Sequence, residues 1–279
     1  MLGRVMGSGI EPMSRRVLIT GAGSGLGREL ALRFAERGDR VCCVDLYADR
    51  AEETRGMLRG GGHLALVADV GSDAAMAALK AQVMAAWEGL DVLVNNAGIA
   101  LGGEIAHVVA ADWQRTLNIN LMGVVRGVRE FVPMMERQGA GLVINTASFA
   151  GLAGAPGLGA YGVAKAAVVA LSEGLRAELH PKGIHVAVVC PSFFKTRLLE
   201  SFQGADSTPL KHIANKLMEQ SPIDAAAVSR IVVDQTSRGR FMILPHRDTW
   251  MRWRMKRWFP EFYFRQVLRY VQQMTRQRG

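Results

Sequence analysis

Tyr161 and Lys165 stand four residues apart, thirteen residues after Ser148, and this is a spacing that can do chemistry. On a helix, positions i and i+4 lie one turn above each other on the same face. An ammonium there favours the ionised phenolate, so the pair predicts a tyrosine pulled from its ordinary value of about 10 toward neutrality. Such a phenol can exchange a proton with an alcohol or ketone oxygen. Four tyrosines and seven lysines in 279 positions give about 0.1 chance matches at that spacing, so the pair needs company.

Company comes from a glycine-rich turn, Thr20-Gly-Ala-Gly-Ser-Gly-Leu-Gly27. It follows a short apolar run, Arg16–Thr20, and opens a helical pattern through Leu26, Leu30 and Phe34. At Gly21, Gly25 and Gly27 a side chain would push a pyrophosphate away from the backbone amides and the positive helix end. Ser24 and Leu26 complete the turn. Asp45 ends the next apolar run, where a carboxylate can accept hydrogen bonds from an adenosine ribose and would repel a 2′-phosphate. NAD is therefore favoured over NADP.

The elements that must position these residues alternate between two periods. Apolar runs at Arg16–Thr20, Arg40–Asp45, His63–Ala68, Asp91–Asn95, Leu142–Thr146, Ile184–Cys190 and Phe241–Leu244 read as strands. Helical patterns separate them: Ala48–Leu58, Asp73–Trp87, one long helix from Asp112 to about Arg137, Ala160–His180 and Asp224–Arg238. Continuous apolar strands with helical crossovers argue for a parallel sheet covered on both faces. That is an α/β fold, a Rossmann-like, doubly wound three-layer sandwich. Such sheets bind ligands at the carboxyl ends of their strands, and Gly21, Asp45, Asp69, Asn96, Ser148 and Pro191 each end or follow a predicted strand. The expected organisation is an unstructured extension over 1–13, one catalytic domain over 14–245 and a basic, aromatic helical extension over 246–279.

In this order and at these spacings the chain resembles the short-chain dehydrogenase/reductase family, from about Arg15 to Leu244. Thr20-Gly21-x-x-x-Gly25-x-Gly27, Asp69-Val70, Asn95-Asn96-Ala97-Gly98, Asn120, Ser148 and Tyr161-x-x-x-Lys165 carry the resemblance. It implies that Asp69 meets the adenine amino group with Val70 beside it. Asn96, Ala97 and Gly98 pack near the cofactor, and Pro191 leads to Thr196 beside the carboxamide. Ser192 stands where the family has glycine. It further implies a catalytic set: Tyr161 as general acid/base, Lys165 binding the nicotinamide ribose, Ser148 bonding the substrate oxygen, and Asn120 holding a relay water. The expected reaction is hydride exchange between a secondary alcohol and a ketone. A catalytically silent cofactor-binding regulatory or scaffolding protein is the alternative, and cofactor-held chemistry of another kind a third. Relatives suggest a homodimer or homotetramer through the helices around Asp112–Arg137 and Ala160–His180.

The resemblance also implies that the segment from Phe193 to about Ser221 covers the substrate. Its Phe193, Phe194, Leu198, Leu199, Phe202 and Leu210, with Leu152, Ala153, Ala155 and Leu158, favour a hydrophobic alcohol or ketone, unless they simply pack on the core.

Composition narrows the classes. No apolar run approaches the eighteen or so residues of a spanning helix, and 1–11 lacks the apolar stretch of a signal peptide. Cys42, Cys43 and Cys190 sit in or at the end of apolar strands and form no metal or disulfide pattern, so inert thiols in the cytoplasm are expected. The formal charge of +9 is concentrated in the tail, where 247–279 holds nine basic residues against Asp248 and Glu261. Tryptophans, phenylalanines and arginines interleave there, and Phe264, Val267, Leu268 and Val271 recur at helical spacing with Arg265, Arg269, Gln272 and Arg276 turned away. Three readings stay open: docking on its own or a neighbouring subunit, contact with an anionic membrane surface, or nucleic acid. No recognition module accompanies the charge, so nucleic acid is not expected.

Overall fold

A computed structural model describes residues 14–195 and 207–276, and in the second stretch the side chains of 212–272. Seven parallel strands form its sheet: β1 Arg16–Thr20, β2 Arg40–Asp45, β3 Leu64–Val67, β4 Val92–Asn95, β5 Gly141–Thr146, β6 Ile184–Val189 and β7 Met242–Ile243. Their spatial order is β3-β2-β1-β4-β5-β6-β7, so the chain reverses direction of travel between β1 and β4. That switch point opens a crevice at the carboxyl ends of the strands. Thr146 pairs with Val189 and Asp45 with Val67, which brings the special residues to one edge.

Alternation along each strand builds the two outer layers. Val17, Ile19, Val41 and Cys43 face α1 Gly25–Glu36, through Leu30 and Phe34. Leu18, Cys42 and Val44 face the opposite layer. Helices α2 Ala48–Met57, α3 Asp73–Trp87, α4 Ala110–Leu117 and α5 Gly123–Gln138 follow in sequence, and α3 and α5 press Leu79, Val83, Phe131 and Met135 onto that second face. Then come α6 Phe149–Ala153, α7 Gly159–Leu179, α8 Ser207–Glu219 and α9 Ala225–Ser237, and α9 returns to the first face beside α1. All three cysteines are buried and unpaired, and burial raises their thiols well above the ordinary range.

Two departures from the sequence reading have physical causes. The expected continuous helix over 112–137 is interrupted by a π-helical turn at Asn118–Met122. There the Asn120 side chain pairs with both backbone groups of Ile99, and Arg126 holds Asn118 and the Val70 carbonyl. The tail is two helices, α10 Arg247–Trp258 and α11 Pro260–Arg276, parted where Pro260 cannot continue the ladder.

Helix α5 approaches β4 so closely that a Cβ on Gly127 would stand 2.0 Å from Asn95 Oδ1. Alanine gains roughly 1 kcal/mol in helix propensity over glycine, whereas overpacking costs about 1–3 kcal/mol. Gly127→Ala should therefore lower the urea midpoint without changing the slope; an unchanged or raised midpoint would show that the layers can separate freely.

Candidate active site

One cavity of about 1290 Å³ runs along the carboxyl edge of the sheet. At one end Gly21, Ser24, Gly25 and Leu26 line it, with Asp45, Asp69 and Val70 beyond. Asn96, Ala97, Gly98 and Pro191 form its middle, and Ser148, Tyr161 and Lys165 its other end. Gly27 and Asn120 do not line it; both stand behind the wall and set its shape. Thr196, Leu198, Leu199 and Phe202 lie outside the described residues, and the side chain of Leu210 does as well.

The glycine turn is shaped by close contacts. Gly21 has φ +66, and a Cβ there would come within 2.9 Å of Ala97 Cα. A Cβ on Gly27 would stand 2.1 Å from the Gly21 carbonyl oxygen, so the first turn of α1 tucks against the loop. Ser24 occupies the cap position of α1 but bonds no first-turn amide, and no acid lies in that turn. The positive end of the helix therefore faces the cavity without a protein counter-charge from its own first turn. The backbone cradle and this helix end fit a pyrophosphate, with Gly21, Ser24, Gly25 and Leu26 as the residues that would hold it.

Thr20, which the sequence marks as the first residue of the glycine turn without giving it a role, clasps β1 to β4. Its Oγ1 accepts from the amides of Asn96 (3.0 Å) and Ala97 (3.1 Å), while Asn96 Nδ2 donates to the Thr20 carbonyl (3.0 Å). Asp45 Oδ2 accepts from the Gly23 amide (2.9 Å) and Oδ1 from the Tyr47 amide (3.2 Å). A carboxylate offers about four lone-pair directions, so capacity remains for ribose hydroxyls. Arg50 also lines this end, its guanidinium 4.7 Å from the centre of the Tyr47 ring. Asp69 Oδ1 accepts from the Gly71 amide (2.7 Å), which fixes the turn below Val70.

At the end lined by Ser148, Tyr161 and Lys165 the ionisable groups are buried. Lys165 is 3% exposed and donates to the Thr146 carbonyl at 2.8 Å. Burial pulls its ammonium down from the ordinary lysine range to about 8. Tyr161 is pushed the other way: burial raises its phenol, and a hydrogen bond with Ser148 opposes the rise. This corrects the expectation of a phenol drawn toward neutrality by Lys165. The ammonium lies 5.9 Å from the phenol ring centre and is committed to Thr146, so desolvation prevails. Ser148 caps the short helix α6 by accepting from the Ala150 amide (3.2 Å). Asn120 Oδ1 accepts from the Ile99 amide (2.8 Å) and its Nδ2 donates to the Ile99 carbonyl (2.9 Å). Its side chain thus secures the strand end beside Gly98, where a Cβ would meet Asn120 Oδ1 at 2.8 Å and Lys165 Nζ at 3.4 Å.

The far wall holds residues that the sequence did not mark as site residues. Met255, Tyr263, Val267 and Tyr270 of the tail line the cavity with Phe193 and Met218. Lys256 donates to the Leu152 carbonyl (2.6 Å) and Tyr263 to the Ala153 carbonyl (3.2 Å). A lysine at the end of α6 satisfies carbonyls that a helix terminus leaves open. Of the three readings of the tail, docking on its own subunit is what the structure displays. Its helical stripe is rotated from the expected one: Val267 and Val271 are half-buried, whereas Phe264 and Leu268 are exposed. Leu152 packs on the core rather than lining the cavity. Arg252 also lines the wall, paired with Asp248 at 3.2 Å.

His246, at the start of the tail, was not singled out because a lone histidine after an apolar strand carries no pattern. It is buried, and its Nδ1 accepts from the Ser192 amide (3.2 Å). Its Nε2 lies 3.1 Å from the Phe193 carbonyl and 3.5 Å from Ser221 Oγ. These contacts call for the neutral ring with hydrogen on Nε2.

Residues 15–206 match the short chain dehydrogenase family. The chain belongs to it. The 2-(R)-hydroxypropyl-CoM dehydrogenase of Xanthobacter autotrophicus is 36% identical over 197 residues, covering 67% of this chain and 78% of that protein. A short chain dehydrogenase/reductase from Burkholderia phymatum, solved in complex with NAD, superposes with a TM-score of 0.84 at 30% identity, over 89% of this chain and 95% of that one. One from Sphingobium yanoikuyae, in complex with NADPH, gives 0.72 at 28% identity, over 91% and 94%. The family assignment makes the chain an oxidoreductase by kinship.

The His246 geometry generates a pH prediction. Burial holds its folded-state value below the ordinary 6.5. Between that lowered value and 6.5 the unfolded chain binds more protons, so stability rises with pH through this window and is lost as pH falls. His246→Asn should narrow its stability gap to the wild type as pH drops from about 7.5 to about 5.5. A gap that stays constant over that range would assign no titration to His246.

Proposed function

We propose that this short chain dehydrogenase uses a nicotinamide cofactor, NAD in preference to NADP, to interconvert a secondary alcohol and a ketone on a hydrophobic substrate. One observation carries the reading: Ser148, Tyr161 and Lys165 meet at one end of a cavity whose other end is the glycine cradle and Asp45. When bound, the nicotinamide ring supplies the hydride donor or acceptor. The chain's own groups then manage the oxygen. Tyr161, its phenol held protonated by burial, donates to the oxygen of a ketone undergoing reduction; in oxidation it must first ionise. Ser148, bonded to that phenol, is placed to stabilise charge on the same oxygen. Lys165 stays cationic below about 8 and favours the phenolate whenever it forms.

Asp45 and Arg50 bear on the cofactor choice from opposite sides. The carboxylate, fixed by the Gly23 and Tyr47 amides, accepts from ribose hydroxyls and repels a 2′-phosphate. The NAD-bound relative from Burkholderia phymatum supports NAD, and the NADPH-bound one keeps NADP as the alternative. Phe193, Met218, Met255 and Val267 give the substrate end its apolar walls, which supports a hydrophobic substrate.

Tyr161→Phe should retain cofactor binding, read by quenching of protein fluorescence, and lose turnover by about two to four orders of magnitude on any active alcohol or ketone. Near-normal turnover would remove Tyr161 from the proton transfer. Asp45→Ala should raise the NADP-to-NAD ratio of kcat/KM by about tenfold or more, where tenfold corresponds to about 1.4 kcal/mol; an unchanged ratio would take Asp45 out of the discrimination.

A further inference from the structure

Helix α10 has two unlike faces. Thr249, Trp253 and Lys256 turn toward the protein body, and Met255 toward the cavity. Arg247, Trp250, Met251, Arg254, Arg257 and Trp258 occupy the opposite side, within an arc of about 120° at 3.6 residues per turn. All six are exposed, Met251 by 66% and Trp258 by 72%. No acid shares this arc: Asp248 lies on the cavity side. Phe259 continues the apolar surface at the elbow, and on α11 Phe264 and Leu268 are exposed beside Arg265 and Arg269.

Large aromatic side chains left in water among arginines mark a surface that functions when covered. We propose that the outward face of α10, continued by Phe259, binds an anionic membrane surface. The charge selects this occupant. A second copy meeting the face through a two-fold axis would set Arg254 and Arg257 against their own equivalents or near neighbours, an array of like charges on an arc without an acid, and the single exposed carboxylate of Glu261 at the start of α11 is too few to balance it. A polyanion without an apolar layer would neutralise the arginines and leave Met251, Trp258 and Phe259 in water. An anionic bilayer satisfies both, since tryptophans settle at the headgroup level while arginines pair with lipid phosphates and carboxylates. The attachment is peripheral, because no helix of the described residues is long and apolar enough to cross a membrane. The inner sides of α10 and α11 wall the cavity, so the docked surface and the cavity share the same two helices. The membrane contact itself does not depend on the catalytic reading.

The test is co-sedimentation of the full chain with vesicles of phosphatidylcholine alone or with about 30% phosphatidylserine, at low salt and at about 0.5 M salt. Wild type should bind the anionic vesicles at least tenfold more tightly than the neutral ones, and lose that advantage in high salt. Arg254→Gln with Arg257→Gln, and separately Met251→Ser with Trp258→Ser, should each weaken binding at least tenfold. Circular dichroism and NADH binding should stay unchanged, because none of the four residues lines the cavity. The proposal is overturned if anionic vesicles do not retain the wild type at low salt, or if both variants bind as the wild type does. It also fails if the serine variant dissociates a wild-type oligomer in sedimentation velocity, or if duplex DNA is bound more tightly than the vesicles.

Discussion

A lysine ammonium sealed beneath the end of a parallel sheet sets the terms for the rest of this molecule. Removing a charge from water costs several kcal/mol unless partners replace the lost hydration, and Lys165 receives the Thr146 carbonyl. The fall of its folded-state value from 10.5 to about 8 corresponds to a stability cost of about 3 kcal/mol at neutral pH. The surrounding packing sustains it: Gly98 leaves no room for a Cβ, and Asn120 fastens the strand end alongside. The same desolvation that burdens the fold keeps Tyr161 protonated. Acid strength and structural cost thus have one origin.

Holding that charge in place requires the strand ends to be in register, and two kinds of clamp achieve this. Hydrophobic layers on both faces fix the sheet itself, through Phe34 on one side and Phe131 on the other. At the carboxyl edge, where loops leave the sheet, side chains take over from packing. Thr20 and Asn96 bind the ends of β1 and β4 to each other, Arg126 ties the Val70 carbonyl to Asn118, and His246 joins Ser192 to the root of the tail. Each is a polar side chain satisfying backbone groups that a loop would otherwise leave unpaired.

The sheet and most helices were legible because apolar alternation and glycine punctuation act locally. Asp45, Ser148 and Tyr161 were legible for the same reason, since each ends a strand or sits at helical spacing from another marked residue. Local reasoning failed where a tertiary contact decides. The direction of the Tyr161 shift depends on how deeply the phenol is buried, which spacing does not encode. Asn120 in the break and Arg126 just after it serve neighbours 21 and 56 residues away in sequence. His246 and Tyr263 belong to the site only because the tail folds back across α6. The rotation of α11 away from its expected stripe has the same cause: Tyr263 and Val267 face the cavity, and Phe264 is left outside.

The π-helical turn at Asn118–Met122 has a consequence for how this chain can vary in length. A π turn is an α-helix carrying one residue too many, so the helical phase of α5 is offset from that of α4 by about 100°. Deleting one residue there would heal the ladder and leave the downstream helix in nearly its present phase, because the widened turn has already absorbed the extra residue. Phe131 and Met135 would keep their place on the sheet, and the loss would fall on the widened turn that presents Asn120 to Ile99. The chain can therefore change length by one residue here at the expense of the Ile99 contact and not of the core.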